Sequence, residues 1–325
     1  MALAQAQFEK FHDTIKLGYE NNLGLREKRN QLIEELKKSL PDDSPDWVWF
    51  NHGSYHLNTG IMPYNYNFDI DLGLNFYCSP SEYADPVELK IIVKNALAKK
   101  NRVLQIRNSC VTVIYMKNDR PEYHVDLSIY SNDYQRLYLA TGRENSTQDS
   151  RNWVLSKPIK LSDYIKGCHK NENGLQFQRV VRYLKRWRDE KLASSNLPSI
   201  ALTVAVAEWM EPNFDKHRNN PRDIYTLRDL VQRLLNQFRD SRLIINSPTI
   251  PYNDLLGSVT DDQMAELKDR LQTLVIALQD AIDEPDIYEA CCLIRGQLGR
   301  DFPVPEKSYV PSPSNLIPKL IQAPQ

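Results

Sequence analysis

From residue 65 to residue 76 the chain alternates: Phe68, Ile70, Leu72, Leu74 and Phe76 are interleaved with Asp69, Asp71, Gly73 and Asn75. A period of two is the pattern of a strand with one buried face. It commits the chain to a sheet. It also sets Asp69 and Asp71 on one face of that strand, with their bases about 6.5–7 Å apart. Acids near the start of such a strand line a cleft, and two convergent carboxylates suit one or two divalent cations. Magnesium takes few carboxylates and completes its octahedron with water and substrate phosphates. Two metals so held can activate an attacking hydroxyl and stabilise a leaving pyrophosphate.

A third acid lies in a second strand pattern, His124-Val125-Asp126-Leu127-Ser128-Ile129. If that strand neighbours the first, Asp126 joins the cluster and can help deprotonate an acceptor hydroxyl. Upstream, residues 47–50 form a short apolar strand candidate that runs into Asn51-His52-Gly53-Ser54, a turn opening a helix. Gly53 would let the backbone approach a phosphate. The Ser54 hydroxyl and the following amides would bond its oxygens. Neither a GK[ST] loop nor a GxGxxG fingerprint occurs.

The remaining pattern divides at about residue 152. Residues 5–40 carry a helical period, weakened by Gly18 and Gly24 and stopped by Pro41 and Pro45. A helix is expected over 87–99 and strands over 103–106, 110–116 and 123–130. Beyond 152, amphipathic helices are expected over 177–192, 199–210, 224–238, 260–282 and 285–298. Residues 302–325 hold six prolines and little periodicity, a tail that is extended or disordered. The expected class is α+β: an α/β core at 41–165 and a helical domain at 166–302. A long N-terminal spine helix (1–40) and a Pro-rich tail (303–325) complete it.

Composition narrows the partners. The formal net charge is −1, so no global basic field calls for nucleic acid. Five cysteines, an odd count without a CxxC, speak against a disulfide framework or structural zinc and for a reducing cytoplasm. No apolar run reaches the ~18 residues of a membrane span. The six histidines form no HExxH and read as surface or satisfied residues, with His52 and His56 flanking the glycine turn.

The run Phe50-Asn51-His52-Gly53-Ser54-Tyr55 through Phe68-Asp69-Ile70-Asp71 resembles the polymerase-β-like nucleotidyltransferases, whose pattern is hG[GS], Dx[DE] and a later strand carboxylate. Val180 to Asp189, followed by Leu197-Pro198-Ser199-Ile200, resembles the core helix pair of the cGAS/DncV-like nucleotidyltransferases, and most of all their DncV branch. The resemblance covers residues 5–300. It implies a nucleotidyltransferase sheet packed on an α-helical domain, and Mg²⁺ (or Mn²⁺) as cofactor. It implies nucleoside triphosphates joined stepwise and cyclised into a di- or trinucleotide second messenger of bacterial anti-phage (CBASS) signalling. Asp69, Asp71 and Asp126 match the catalytic, metal-binding acids. Gly53 and Ser54 match the phosphate turn. Lys185 and Ser199 match a lysine and a serine that face the donor triphosphate. Accessory regulatory proteins acting on the C-terminal tail are implied as partners.

Two departures concern the bases. Leu57 stands where relatives carry a stacking aromatic, and residues 109–112 contain no arginine to read a guanine edge. ATP is the expected substrate, with the second base open. The same acids would also serve an enzyme acting on an RNA 3′ end or a protein, or persist in an inactive nucleotide-binding scaffold. The neutral charge disfavours the first, and the complete acid set the second.

Overall fold

The structure, a computed structural model, describes residues 4–17, 19–64, 68–100, 102–118, 120–215 and 220–307. Most of the Pro-rich tail therefore lies outside the described residues. Seven strands form one sheet: β1 (Trp47–Asn51), β2 (Phe68–Phe76), β3 (Arg102–Ile106), β4 (Val111–Lys117), β5 (Arg120–Asp133), β6 (Arg136–Ala140) and β7 (Trp153–Ser156). Their order is β1-β2-β5-β4-β3, with β6 on the second half of β5 and β7 on β6. β2 and β5 run parallel and all other pairs antiparallel.

The alternation along β2 is realised in the core. Ile70, Leu72, Leu74 and Phe76 are fully buried with Val125, Leu127 and Ile129 of β5. Gly73 is required for a local reason: a Cβ there would fall inside the Phe50 ring, which packs across it from β1. α4 (Pro86–Ala96) packs Val87, Leu89 and Val93 on the opposite, apolar face of the sheet, and is started by Asp85, whose carboxylate caps the Val87 amide at 2.9 Å.

The N-terminal helical pattern is broken in two. α1 (Gln5–Ile15) places Phe8, Phe11 and Ile15 in the helical core, whereas α2 (Tyr19–Ser39) places Leu25, Leu32 and Leu36 in the sheet core. The segment thus spans both bodies, but not as the single helix its period suggests. Lys16 turns extended and bridges to Ile61. The Met62 amide donates to Ile15 O at 2.8 Å, and the Leu17 amide to Gly60 O at 3.3 Å. The chain leaves the helix there to pair with the loop that follows the glycine turn.

The helical half comprises α5 (Pro158–Cys168), α6 (Asn171–Lys191), α7 (Ser199–Trp209), α8 (Asp223–Asn236), α9 (Asp261–Asp283) and α10 (Ile287–Leu298). α6 is its centre: Tyr183, Leu184 and Trp187 are fully buried. Asp223, fully buried at the start of α8, accepts from Arg179 (2.6 and 2.9 Å), Tyr183 (3.0 Å) and Gln176 (3.0 Å). A buried carboxylate saturated in this way locks α8 to α6. β6, β7 and α5 were not anticipated from the sequence. The two strands are short, and α5 lies in a Lys-rich stretch whose apolar stripe is thin.

Candidate active site

Strands β2 and β5, the glycine turn that follows β1, and helices α6 and α7 build the site. In the parallel pair β2–β5, Asp71 stands level with Asp126 and Asp69 with His124. The two sequence-distant carboxylates are brought together by register. One ligand oxygen from each of Asp69, Asp71 and Asp126 lies within 4.8 Å of the others. The expected triad is therefore formed.

Such a cluster is electrostatically unfavourable by itself. Burial among protein atoms pushes the Asp69 carboxyl well above the usual carboxylate range, and the charges of Asp71 and Asp126 push it further. Asp71 is raised too, first by burial; His52, Lys185 and the Ser54 amide oppose the shift. Three convergent carboxylate oxygens, with Asp69 and Asp71 resisting ionisation when left alone, are the donor set a hard divalent cation satisfies. The residues present fit such an ion.

The glycine turn is shaped around Asp71. Gly53 has φ +64°, and a Cβ there would coincide with Asp71 Oδ2. Only glycine lets the turn close over that carboxylate. The turn leads into α3 (Gly53–His56), and Ser54 follows with its amide bonded to Asp71. The loop behind it is fastened by α6. Arg182 donates to Asn58 O (2.7 Å) and Gly60 O (3.0 Å), Lys185 to Thr59 O (3.0 Å) and Thr59 Oγ1 (3.3 Å), and Arg186 to Met62 O (2.7 Å). Positions i, i+3 and i+4 share one helix face, so three cations of a basic run grip one loop.

Lys185 is consequently buried rather than solvated, at 3% exposure. Burial, with Arg188 and Arg182 beside it, lowers its ammonium to about 7. Ser199, the first residue of α7, accepts from Arg188 Nη1 at 2.7 Å. Arg188 also bonds Asp189 Oδ1 (2.7 and 3.0 Å) and Leu197 O (3.3 Å).

These groups line a cavity of about 700 Å³ between the sheet and the helical half; Gly53, Ser54, Asp69, Asp71, Lys185 and Ser199 all border it. A pocket of that volume is of small-molecule size. Leu57 and Lys157 also line it. Every site residue expected from the sequence is at this locus, Asp126 through the triad rather than the cavity wall. Two were missed. Arg188 could have been found three residues beyond Lys185, on its face of the helix. Arg107, exposed just past the end of β3, acts electrostatically on Asp69 and His124, so an arginine does border the triad although residues 109–112 have none.

Residues 48–130 match the family described as cyclic GMP-AMP synthase DncV-like, nucleotidyltransferase domain. The matched segment runs from β1 through the third carboxylate and contains the entire triad. Over this segment the chain is similar to the cGAS/DncV-like nucleotidyltransferases. A curated relative, the cyclic AMP-AMP-AMP synthase of an Acinetobacter species, is 26% identical over 164 residues. That match covers 46% of this chain and 44% of the relative, less than half of either. Escherichia coli MS115-1 CdnC with ATP has a TM-score of 0.67 at 17% identity, covering 92% of this chain and 98% of that one. Vibrio cholerae DncV, a cyclic AMP-GMP synthase, has a TM-score of 0.70 at 16% identity, covering 92% and 97%. At such identities these structures establish the shared DncV-like fold, helical half included.

Proposed function

We propose that this DncV-like nucleotidyltransferase joins nucleoside triphosphates, ATP among them, into a cyclic di- or trinucleotide second messenger of bacterial anti-phage (CBASS) signalling. The observation that carries the reading is the Asp69/Asp71/Asp126 cluster opening on a cavity bordered by Gly53, Ser54, Lys185 and Ser199. A carboxylate triad supports many reactions; one beside a glycine-serine turn, a lysine and a serine supports transfer between a triphosphate and a hydroxyl.

The donor triphosphate sits against the Gly53-Ser54 turn, with the Lys185 ammonium as its point charge and the Ser199 hydroxyl, oriented by Arg188, as a further donor. Asp69, Asp71 and Asp126 would hold Mg²⁺, with Mn²⁺ a substitute. Bound there, the cation would acidify the acceptor hydroxyl and neutralise charge on the departing pyrophosphate. Asp126 takes the acceptor proton as the hydroxyl oxygen attacks the donor α-phosphorus. The bond to pyrophosphate breaks, and a further transfer on the linear product closes the ring. The apolar cavity walls, Leu57, Leu139 and Ile200 among them, exclude water from the reacting phosphate.

Among the described residues no helix is long and apolar enough to cross a membrane, in keeping with a cytoplasmic enzyme. CdnC of E. coli MS115-1 forms a complex with a HORMA protein. A regulatory partner of this chain, acting on its C-terminal tail, belongs to the same reading.

The test is incubation of the pure protein with Mg²⁺ and labelled nucleoside triphosphates, followed by phosphatase. Phosphatase-resistant small products are expected, and the double variant Asp69→Ala/Asp71→Ala should make none. Label appearing instead in RNA or protein, or unchanged turnover by the double variant, would overturn the proposal.

A further inference from the structure

β4 pairs with β5 so that Thr112 lies directly opposite Asp126. The Thr112 hydroxyl donates to Asp126 Oδ1 at 2.5 Å, because an ionised carboxylate can only accept. Thr112 is fully buried, as are Val111 and Val113 on either side. Packing alone would be met there by a third valine, which has the same shape and a slightly better strand preference. A buried hydroxyl is costly unless bonded. The bonds available to it here are the one to Asp126 and a long 3.6 Å contact with Cys110 Sγ. The hydroxyl is thus accounted for by the carboxylate it holds.

Asp126 needs holding. It faces Asp71 across the β2–β5 ladder and shares the cluster with Asp69. Like charges directly opposite in a sheet repel. An untethered Asp126 would rotate away from the other two when no cation is bound. Threonine, β-branched and stiff about χ1, is a rigid tether.

We infer that Thr112 is a positioning residue for nucleotidyl transfer: its hydroxyl occupies one oxygen of Asp126, fixes the carboxylate against repulsion from Asp69 and Asp71, and leaves the other oxygen for the cation and acceptor. The inference rests on the triad being the metal-binding centre of the proposed reaction.

The test compares the full-length chain with Thr112→Val and Thr112→Ser. Binding of Mn²⁺ without nucleotide is read from the electron paramagnetic resonance of free Mn²⁺. The rate of phosphodiester formation from saturating ATP is read in parallel. The valine variant should lose about 10–100-fold in Mn²⁺ affinity and a similar factor in kcat, as outer-shell substitutions at metal sites do. Its KM for ATP should stay within about twofold, because the cavity wall is untouched. The serine variant should recover most of both losses. Wild-type Mn²⁺ affinity in Thr112→Val, or a serine variant as impaired as the valine one, would overturn the inference. Should the valine variant not fold, Thr112→Ala against Thr112→Ser decides the same question. A wild-type chain that binds Mn²⁺ but forms no phosphodiester overturns the proposed function alone, and Mn²⁺ affinity then decides Thr112. A wild-type chain that binds no Mn²⁺ overturns both.

Discussion

Asp71 and Asp126 stand level on adjacent parallel strands, Asp71 beneath the glycine turn and Asp126 tethered by Thr112. Their carboxylates, with that of Asp69, are held together against their own repulsion, so the site stores unfavourable electrostatics that a divalent cation relieves. The first prediction follows from that. A carboxyl whose pKa is raised in the fold binds more protons there than in the unfolded chain. The metal-free protein therefore loses stability as pH rises from the ordinary carboxylate range through the raised values. At pH 7.5, Asp69→Asn should raise the melting temperature of the metal-free protein by about 1–3 °C. It should also abolish the stabilisation that Mg²⁺ gives the wild type, and all product. Thermal shift with and without Mg²⁺ reads each effect.

Gly53→Ala probes the turn. Its Cβ would collide with Asp71 Oδ2, and φ +64° strains any side chain. The strain alone is worth about 1–2 kcal/mol. The larger effect is displacement of the Asp71 carboxylate from the triad, for which a loss of kcat beyond about 100-fold is expected. Steady-state kinetics beside chemical denaturation separates the two.

Lys185 should take up a proton when nucleotide binds. Its ammonium is lowered to about 7 in the free protein, first by burial. A triphosphate against it raises the pKa again, so at pH 8 complex formation draws a proton from the buffer. The calorimetric enthalpy of binding a non-hydrolysable ATP analogue should then depend on the ionisation enthalpy of the buffer, and Lys185→Met should remove that dependence.

His12 should govern acid stability. Burial, then the neighbouring Arg182, holds it at about 4 against 6.5. The unfolded chain therefore binds the extra proton between those values. The contribution of His12 to stability is full above pH 6.5 and is lost as pH drops to 4, by up to about 3 kcal/mol. Denaturation at pH 7 and pH 4.5 should show His12→Gln to be less acid-sensitive than the wild type.

Much of this was legible in the sequence because the signals were local. The period-two run of β2 placed Asp69 and Asp71 on one face, and the α6 period placed Lys185 near its apolar stripe. The break at Lys16 was not legible. It depends on pairing with Ile61, a partner 45 positions away by residue number that no local period encodes. β6, β7 and α5 were missed for want of strong periodicity, although they supply Leu139, Val154 and Leu161 to the cavity.

The sequence by itself determined the ingredients: a strand with two acids on one face, a glycine turn before it, a third strand acid, and basic helices to follow. Only the tertiary structure decided which of these meet. Strand register is a long-range property, so the pairing of Asp71 with Asp126 and of Asp126 with Thr112 appears only when β2, β5 and β4 lie side by side. Burial is likewise a property of the assembled chain. It turned Lys185 from a helix-edge cation into a buried group at the cavity wall, and Gly53 from a turn residue into a position where a side chain would displace the Asp71 carboxylate.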